Sequence, residues 1–196
     1  MKKNQKYRKQ RSRNGLVPTV FGVVLVLAGF VMLIALQNPK EASASDASSR
    51  SVVPMAVEFP APILALENVN GNTQSLEDFR GQVVLVNNWA TWCPPCKAEM
   101  PSLQKYYEAH SADGFTIVAV NAGDAKSQVE QFASDYGLTF DLWLDPDGAA
   151  LNAFKNANLP SSYVLDRAGI VRYAWTGEIS FAMLEKYVTP VIQDAN

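Results

Sequence analysis

The stretch NNWATWCPPCKAEMP, Asn87 to Pro101, holds both cysteines of a 196-residue chain, two prolines apart and flanked by tryptophans. Directly before it, Val83-Val84-Leu85-Val86 is a β-branched and aliphatic run, too short for a buried helix and right for a central strand covered on both faces. Directly after it, Met100, Leu103 and Tyr107 recur at helical spacing until Gly114. A strand therefore delivers two thiols to the first turn of a helix, and the rest of the chain is arranged around that unit.

Downstream, Phe115 to Val120 reads as a second buried strand, parallel to the first because a helix separates them. Ser127-Gln128-Val129-Glu130 has the form of a capping box, with Val129, Phe132, Ala133 and Tyr136 on one helical face and Gly137 as the stop. Asp141 to Leu144 is a third, short strand, ended by the turn Asp145-Pro146-Asp147-Gly148, a common turn sequence rather than a calcium site. Tyr163 to Asp166 and Ile170 to Trp175 flank Arg167-Ala168-Gly169 as an antiparallel hairpin. Phe181, Leu184, Val188 and Val191 mark a closing helix, kinked or frayed at Pro190. Upstream, PAPILALENVNGNTQSL predicts a leading hairpin about Asn70-Gly71, and Ser75-Leu76-Glu77-Asp78 a capping box on one helical turn closed by Gly81. The order predicts an α/β fold: a central mixed sheet, helices on both faces and an extra N-terminal hairpin.

Two cysteines at this spacing admit several readings. A zinc site needs about four ligands, and two Cys with a lone His110 fall short, so no metal and no cofactor is expected. A structural disulfide suits an exported domain, yet the loop it closes is so short that by the chain-entropy argument it stabilises little. A dithiol exchange centre makes use of the position itself. Cys93 at the helix N-cap meets orphan N–H groups and the positive end of the helix dipole, which favour a thiolate. Cys96, one turn in and less exposed, is placed to resolve a mixed disulfide. Pro94 and Pro95 bring no N–H, which leaves the Cys96 amide as the nearest backbone donor to the Cys93 sulfur. A thiolate so weakly stabilised predicts a reducing pair, with a potential below roughly −200 mV. A thiol peroxidase would need Pro-x-x-x-Thr-x-x-Cys ending at Cys93, but Trp89-Ala90-Thr91-Trp92 puts the threonine one position too close.

The N-terminal quarter sets the compartment. Residues 1–15 carry seven of the seventeen Lys and Arg and no acid. A nucleic-acid arm is one reading of such a block, but it runs straight into 21 uncharged residues, Leu16 to Leu36. At ~1.5 Å per residue these span roughly 30 Å as a helix, the thickness of a hydrocarbon core, and the basic side is expected to stay cytoplasmic. A cleaved signal peptide competes through Ala42-Ser43-Ala44, yet the apolar run exceeds the ~7–15 residues of a signal h-region. The expected organisation is a cytoplasmic basic tail (1–15), a single transmembrane signal-anchor helix (16–36), a Ser- and Ala-rich flexible linker (37–55) and one domain (56–196) on the extracytoplasmic side, with no nucleic-acid partner.

WCPPC after VVLVNNWAT resembles the thioredoxin superfamily. More narrowly, the anchor and the leading hairpin before LEDFRGQVVLVNNWATWCPPC are similar to the TlpA/ResA/CcmG-like membrane-anchored thiol-disulfide oxidoreductases, over about Phe59 to Ile192. The resemblance implies a thioredoxin-like fold in which Cys93 attacks and Cys96 resolves. Leu159-Pro160 in NLPSSYVLD resembles the family's cis-proline loop, which faces the cysteines and offers main-chain groups to an extended substrate. Glu99 matches an acidic position near the active site in many members, where a partly desolvated carboxylate raises thiol pKa values and relays a proton to the resolving thiol; on an exposed helix face it would do nothing. Trp92 is expected on an apolar docking rim, so that Trp92, Pro94, Leu159 and Pro160 are the substrate-binding candidates. Trp89 is expected in the core, and Trp143 and Trp175 as packing residues. Pro101 matches the helix-kinking proline of the superfamily.

Two departures stand out. Asn87 sits where cytosolic-type thioredoxins place a buried acid, which gives Glu99 more weight. Asn88 takes a position that is usually aromatic, which is expected to loosen the packing behind the site. The implied partners are protein disulfides, apocytochrome c before haem attachment among them, and a membrane thiol-electron donor of the CcdA/DsbD type; the implied state is a monomer. Competing readings are a general thiol oxidant or isomerase, and a non-catalytic tethered binding module whose disulfide merely holds a loop.

Overall fold

The segment that carries the cysteines follows one of the best-buried elements of the molecule. In the computed structural model, which describes residues 51–194, the strand before the cysteines (Val83–Trp89, here β4) buries all seven of its residues. At about 1.5–3 kcal/mol for each large aliphatic side chain fully removed from water, this strand anchors the sheet. Its neighbours are β5 (Phe115–Ala122), parallel to it, and β7 (Ser161–Leu165), antiparallel to it. The remaining strands are β1 (Met55–Pro60), β2 (Ala65–Asn68), β3 (Thr73–Ser75), β6 (Asp141–Asp145) and β8 (Ile170–Thr176). Together they form one eight-stranded mixed sheet in the order β1-β8-β7-β4-β5-β6-β2-β3.

The helices are α1 (Pro94–His110), α2 (Lys126–Tyr136), α3 (Ala149–Ala153), α4 (Phe181–Tyr187) and α5 (Thr189–Gln193). Alternate residues of the central strands divide the core in two, as the period of a strand requires. Val83, Leu85, Trp89, Ile117 and Ala119 pack with Met100, Leu103 and Tyr106 of α1, Val129 and Phe132 of α2, and Leu184, Val188 and Ile192 from the C-terminal helices. Val84, Val86, Val118, Val120 and Trp143 face the other way, onto Leu76, Phe79 and Ala150. Both faces are covered, but unequally: the long helices share one cluster, while the second face is closed by a 3-10 turn (Leu76–Phe79), the one-turn helix α3 and the leading hairpin.

Several local expectations are met. The leading hairpin forms between β2 and β3 and joins the main sheet through β6, where Glu67 pairs with Leu144 and Asn68 with Trp143. Ser75 caps the following turn, its Oγ accepting from Glu77 N while Asp78 accepts from Ser75 N. Gly137 ends α2 at φ 64°, in the left-handed region that favours glycine.

Others are corrected. Helix α2 starts one residue before Ser127, and its cap is Gln128 accepting from Ala125 N, not a Ser127–Glu130 box. In α1 Tyr106 is fully buried and Tyr107 only partly so, because the helix turns its Met100–Leu103–Tyr106 edge to the sheet. The closing helix is two helices broken at Val188, with Pro190 in the first turn of the second, where its missing N–H costs nothing. Strand β1, absent from the sequence reading, pairs antiparallel with β8. The chain meets the domain already at Ser51 and Val52, within the stretch that composition assigns to the linker: Val52 N donates to Glu178 O at 3.0 Å and Ser180 N to Ser51 Oγ at 2.9 Å. The apolar residues of SVVPM give that segment something to bury.

The expected basic tail and transmembrane helix, and most of the linker, lie outside the described residues. Among the described residues no helix is long and apolar enough to cross a membrane.

Candidate active site

Strand β4 ends at Trp89, which is fully buried against Phe132 with ring centroids 4.7 Å apart. The chain then turns through Ala90-Thr91-Trp92 into α1. Two bonds fix this turn: Cys93 N donates to Ala90 O at 3.2 Å, and Thr91 N to the Asp124 carboxylate at 2.7 Å. Asp124 is itself held by Asn121 of β5, whose Nδ2 donates to the same oxygen at 2.9 Å. The sequence reading passed over Asp124; the loop after β5 shows its proximity only once the parallel register is known.

Cys93 is the N-cap of α1, with extended backbone at φ −86° and ψ 110°. Pro94 and Pro95 fill the first two helical positions, where an N–H would have no helical acceptor. The Cys93 sulfur accepts from Cys96 N at 3.3 Å, the contact that the two prolines leave open. The cysteines are joined as a disulfide, Cys93 exposed by only 3% and Cys96 not at all. Beside them Trp92 is 66% exposed, an apolar side chain on the surface next to the sulfurs, and Pro94 is exposed as well.

The Leu159-Pro160 peptide bond is cis. Pro160 is buried and directly precedes β7, while Leu159 packs against the apolar cluster that contains both cysteines. Because Ser161 pairs with Asn88 and Ser162 with Asn87 across β7 and β4, the proline loop and the cysteine loop leave the sheet at the same end. All four substrate-binding candidates are therefore gathered around the disulfide.

Glu99 is fully buried, three residues beyond Cys96 and so on the same helical face. Asn87 Nδ2 donates to its Oε1 at 2.8 Å, and Ile179 N to its Oε2 at 3.3 Å. Burial, helped by the negative charge of Glu178, pushes its pKa up to about 8, against the pull of these two donors. The surface-helix alternative for Glu99 is thus excluded. A carboxyl that changes charge near neutral pH, one helical turn from a redox cysteine, is equipped to exchange protons with its thiol.

Asn88 turns to the opposite face of β4 and donates to Ser161 Oγ at 3.2 Å, so the loosened packing expected there is replaced by a polar contact. Pro101 lies inside α1, as its resemblance implied. His110 is bonded to Glu185 Oε1 at 3.0 Å, far along α1 from the cysteines. Among the described residues no group of three or more His, Cys, Asp or Glu is arranged to hold a metal.

Residues 57–174 match the AhpC/TSA family. The chain belongs to this family of thioredoxin-like domains. Within the AhpC/TSA family it is similar to the thiol-disulfide oxidoreductase ResA of Geobacillus kaustophilus, 36% identical over 137 residues that cover 70% of this chain and 79% of that one. It is also similar to ResA of Oceanobacillus iheyensis, 31% identical over 196 residues, 99% of this chain and 97% of that one. Among solved structures, a thiol:disulfide interchange protein of the thioredoxin family from Chlorobium tepidum superposes with a TM-score of 0.63 at 26% identity, covering 70% of this chain and 99% of that one. The chain is a thiol-disulfide oxidoreductase, and Cys93 and Cys96 are its redox pair.

Ser161, Ser162, Asp124 and the Ile179 amide complete the site and were missed in the sequence. The consecutive serines after Pro160 were a signal, since they stand opposite the consecutive asparagines before Trp89, but only the register of β4 on β7 makes them partners.

Proposed function

We propose that the chain is a membrane-anchored reductase that breaks disulfides in protein substrates on the extracytoplasmic side of the cell membrane, apocytochrome c before haem attachment being the substrate that the family resemblance suggests. The observation that supports the direction is that, among the described residues, one backbone donor meets the Cys93 sulfur, the Cys96 amide. With Pro94 and Pro95 contributing none, the thiolate is poorly stabilised, the reduced pair is held less tightly, and electrons pass readily to a substrate.

In the reducing half-reaction the Cys93 thiolate attacks a substrate disulfide. The substrate S–S bond breaks, one substrate sulfur leaves as a thiolate that takes up a proton, and Cys93 is left in a mixed disulfide. Glu99, as the carboxylate, takes the proton of Cys96. The Cys96 thiolate then attacks the Cys93 sulfur and expels the second substrate sulfur, which is protonated in turn. The substrate has gained two electrons and two protons, and the enzyme holds the Cys93–Cys96 disulfide. In the return half-reaction one thiolate of a dithiol donor attacks Cys93, breaking the Cys93–Cys96 bond while Glu99, now protonated, hands its proton to the departing Cys96 sulfur; the donor's second thiolate then attacks its own mixed-disulfide sulfur and expels the Cys93 thiolate, leaving the donor as a disulfide. The donor is a membrane thiol-electron carrier of the CcdA/DsbD type, and the enzyme works as a monomer.

The anchor reading is supported by the seven basic residues before Leu16, by the 21 uncharged residues that follow, and by the alignment with Oceanobacillus iheyensis ResA across nearly the whole chain. Equilibration of the pair with glutathione tests the direction. A potential below roughly −200 mV is expected; one near about −120 mV, that of the strong periplasmic oxidants, would make the enzyme a thiol oxidant or isomerase instead.

A further inference from the structure

Asn87 is a fully buried amide in the position from which the sequence reading found a buried acid missing. It lies on the same face of β4 as Leu85 and Trp89, toward α1. Its two Nδ2 hydrogens are both used, one on Glu99 Oε1 at 2.8 Å and one on Ser162 Oγ at 2.9 Å, while its Oδ1 is buried with no partner among the described residues. An orphaned buried oxygen is costly, so the amide orientation has to be held by what its nitrogen gains.

We propose that Asn87 and Ser162 are positioning residues of the exchange reaction, the Asn87 amide, locked by Ser162, donating to Glu99 so that the carboxylate which receives the Cys96 proton stays accessible. The chemistry favours this assignment in three ways. A neutral donor stabilises a buried carboxylate without adding the second negative charge that an acid at position 87 would bring. The ionised carboxylate of Glu99, which only accepts, selects the nitrogen end of the amide, and Ser162 holds that orientation by accepting the second Nδ2 hydrogen. The third reason is placement: Ser162 is the second residue after Pro160, so the strand that follows the proline loop is tied by one side chain to the proton acceptor behind Cys96.

The groups that act on Glu99 are consistent with such tuning. Burial and Glu178 oppose its ionisation, and Asn87 and the Ile179 amide favour it. Along its own helix Lys97 is exposed and Cys96 is held in the disulfide, and Asn87 on β4 and Ser162 on β7 carry no charge, which leaves Glu178 as the charged neighbour.

The inference rests on Glu99 as the proton acceptor, and the test separates the two. In the oxidised full-length protein, the carboxyl carbon of Glu99 is titrated by NMR in wild type, Asn87→Leu and Ser162→Ala, alongside the pH profile of substrate reduction. Loss of the donor in Asn87→Leu is expected to move the Glu99 midpoint upward by on the order of one pH unit, and the rate profile with it. Ser162→Ala, which deletes a single oxygen and serves if the leucine protein does not fold, is expected to move both in the same direction by less. A folded variant that titrates Glu99 at the wild-type pH overturns the proposal and leaves Asn87 a packing residue. The Glu99→Gln protein reports on the underlying reading: if its rate profile keeps the wild-type inflection, Glu99 is not the proton acceptor, whatever the NMR midpoints show.

Discussion

Glu99 is the residue whose environment departs furthest from what its side chain prefers. Its folded-state pKa of about 8 stands well above the ordinary 4.5, so between those values the unfolded chain gives up a proton that the fold retains. The stability associated with the neutral group is complete at and below the ordinary pKa and is lost as pH rises toward about 8. Glu99→Gln should abolish that slope. Urea unfolding of the oxidised protein is expected to show the variant near wild type at about pH 5 and more stable by on the order of 3 kcal/mol at about pH 8; parallel pH dependences would contradict the burial argument. At the cysteines, Cys96→Ser leaves Cys93 able to attack and unable to be released, so substrates should accumulate as mixed disulfides on non-reducing gels, and Cys93→Ser should give none. The two cysteines, Pro160 and Glu99 were legible as residues because each occupies a fixed offset in a recognisable motif. Asn87 was noticed only as an acid that is missing; its donor role depends on a serine 75 positions away.

Among the elements, those with an apolar period were legible and those without were not. β4, α1 and β5 show unbroken or helical patterns, and they formed where expected. β1 is exposed at nearly every position, and its partners in β8 lie more than a hundred residues along the chain, so it presents no alternation to read. Helix α3 is five residues long, less than two turns, too short for a period to show. Its start was nonetheless written in the DPDG turn. Asp145, only 2% exposed, accepts from Ala149 N through Oδ1 at 2.7 Å and from Ala150 N through Oδ2 at 2.8 Å. Asp145→Ala strands both amides and should lower stability by about 1–3 kcal/mol, read as an earlier urea midpoint. An unchanged midpoint would mean that α3 is held by Ala150 packing alone.

For the molecule as a whole, the parallel β4–β5 pair and the site follow from one strand-to-helix turn, at Cys93, and the membrane reading adds an orientation to it. That orientation is testable in intact cells with a membrane-impermeant maleimide. With Cys93 and Cys96 replaced by serine, Ser48→Cys should be labelled and Asn4→Cys protected; the reverse pattern would put the domain on the cytoplasmic side. The unequal covering of the sheet was not legible, since hydropathy gives a buried strand no sign of which face a helix will take. Strand β1 has a mechanical consequence. The polypeptide touches the domain first at Ser51 and Val52, bonded to Ser180 and Glu178, and then runs into an edge strand laced to β8, with β8 and β7 lying between it and β4. A pull along the entering chain therefore tugs first on the segment whose Ile179 amide holds Glu99, and loads the β1–β8 ladder lengthwise only once those two bonds have parted.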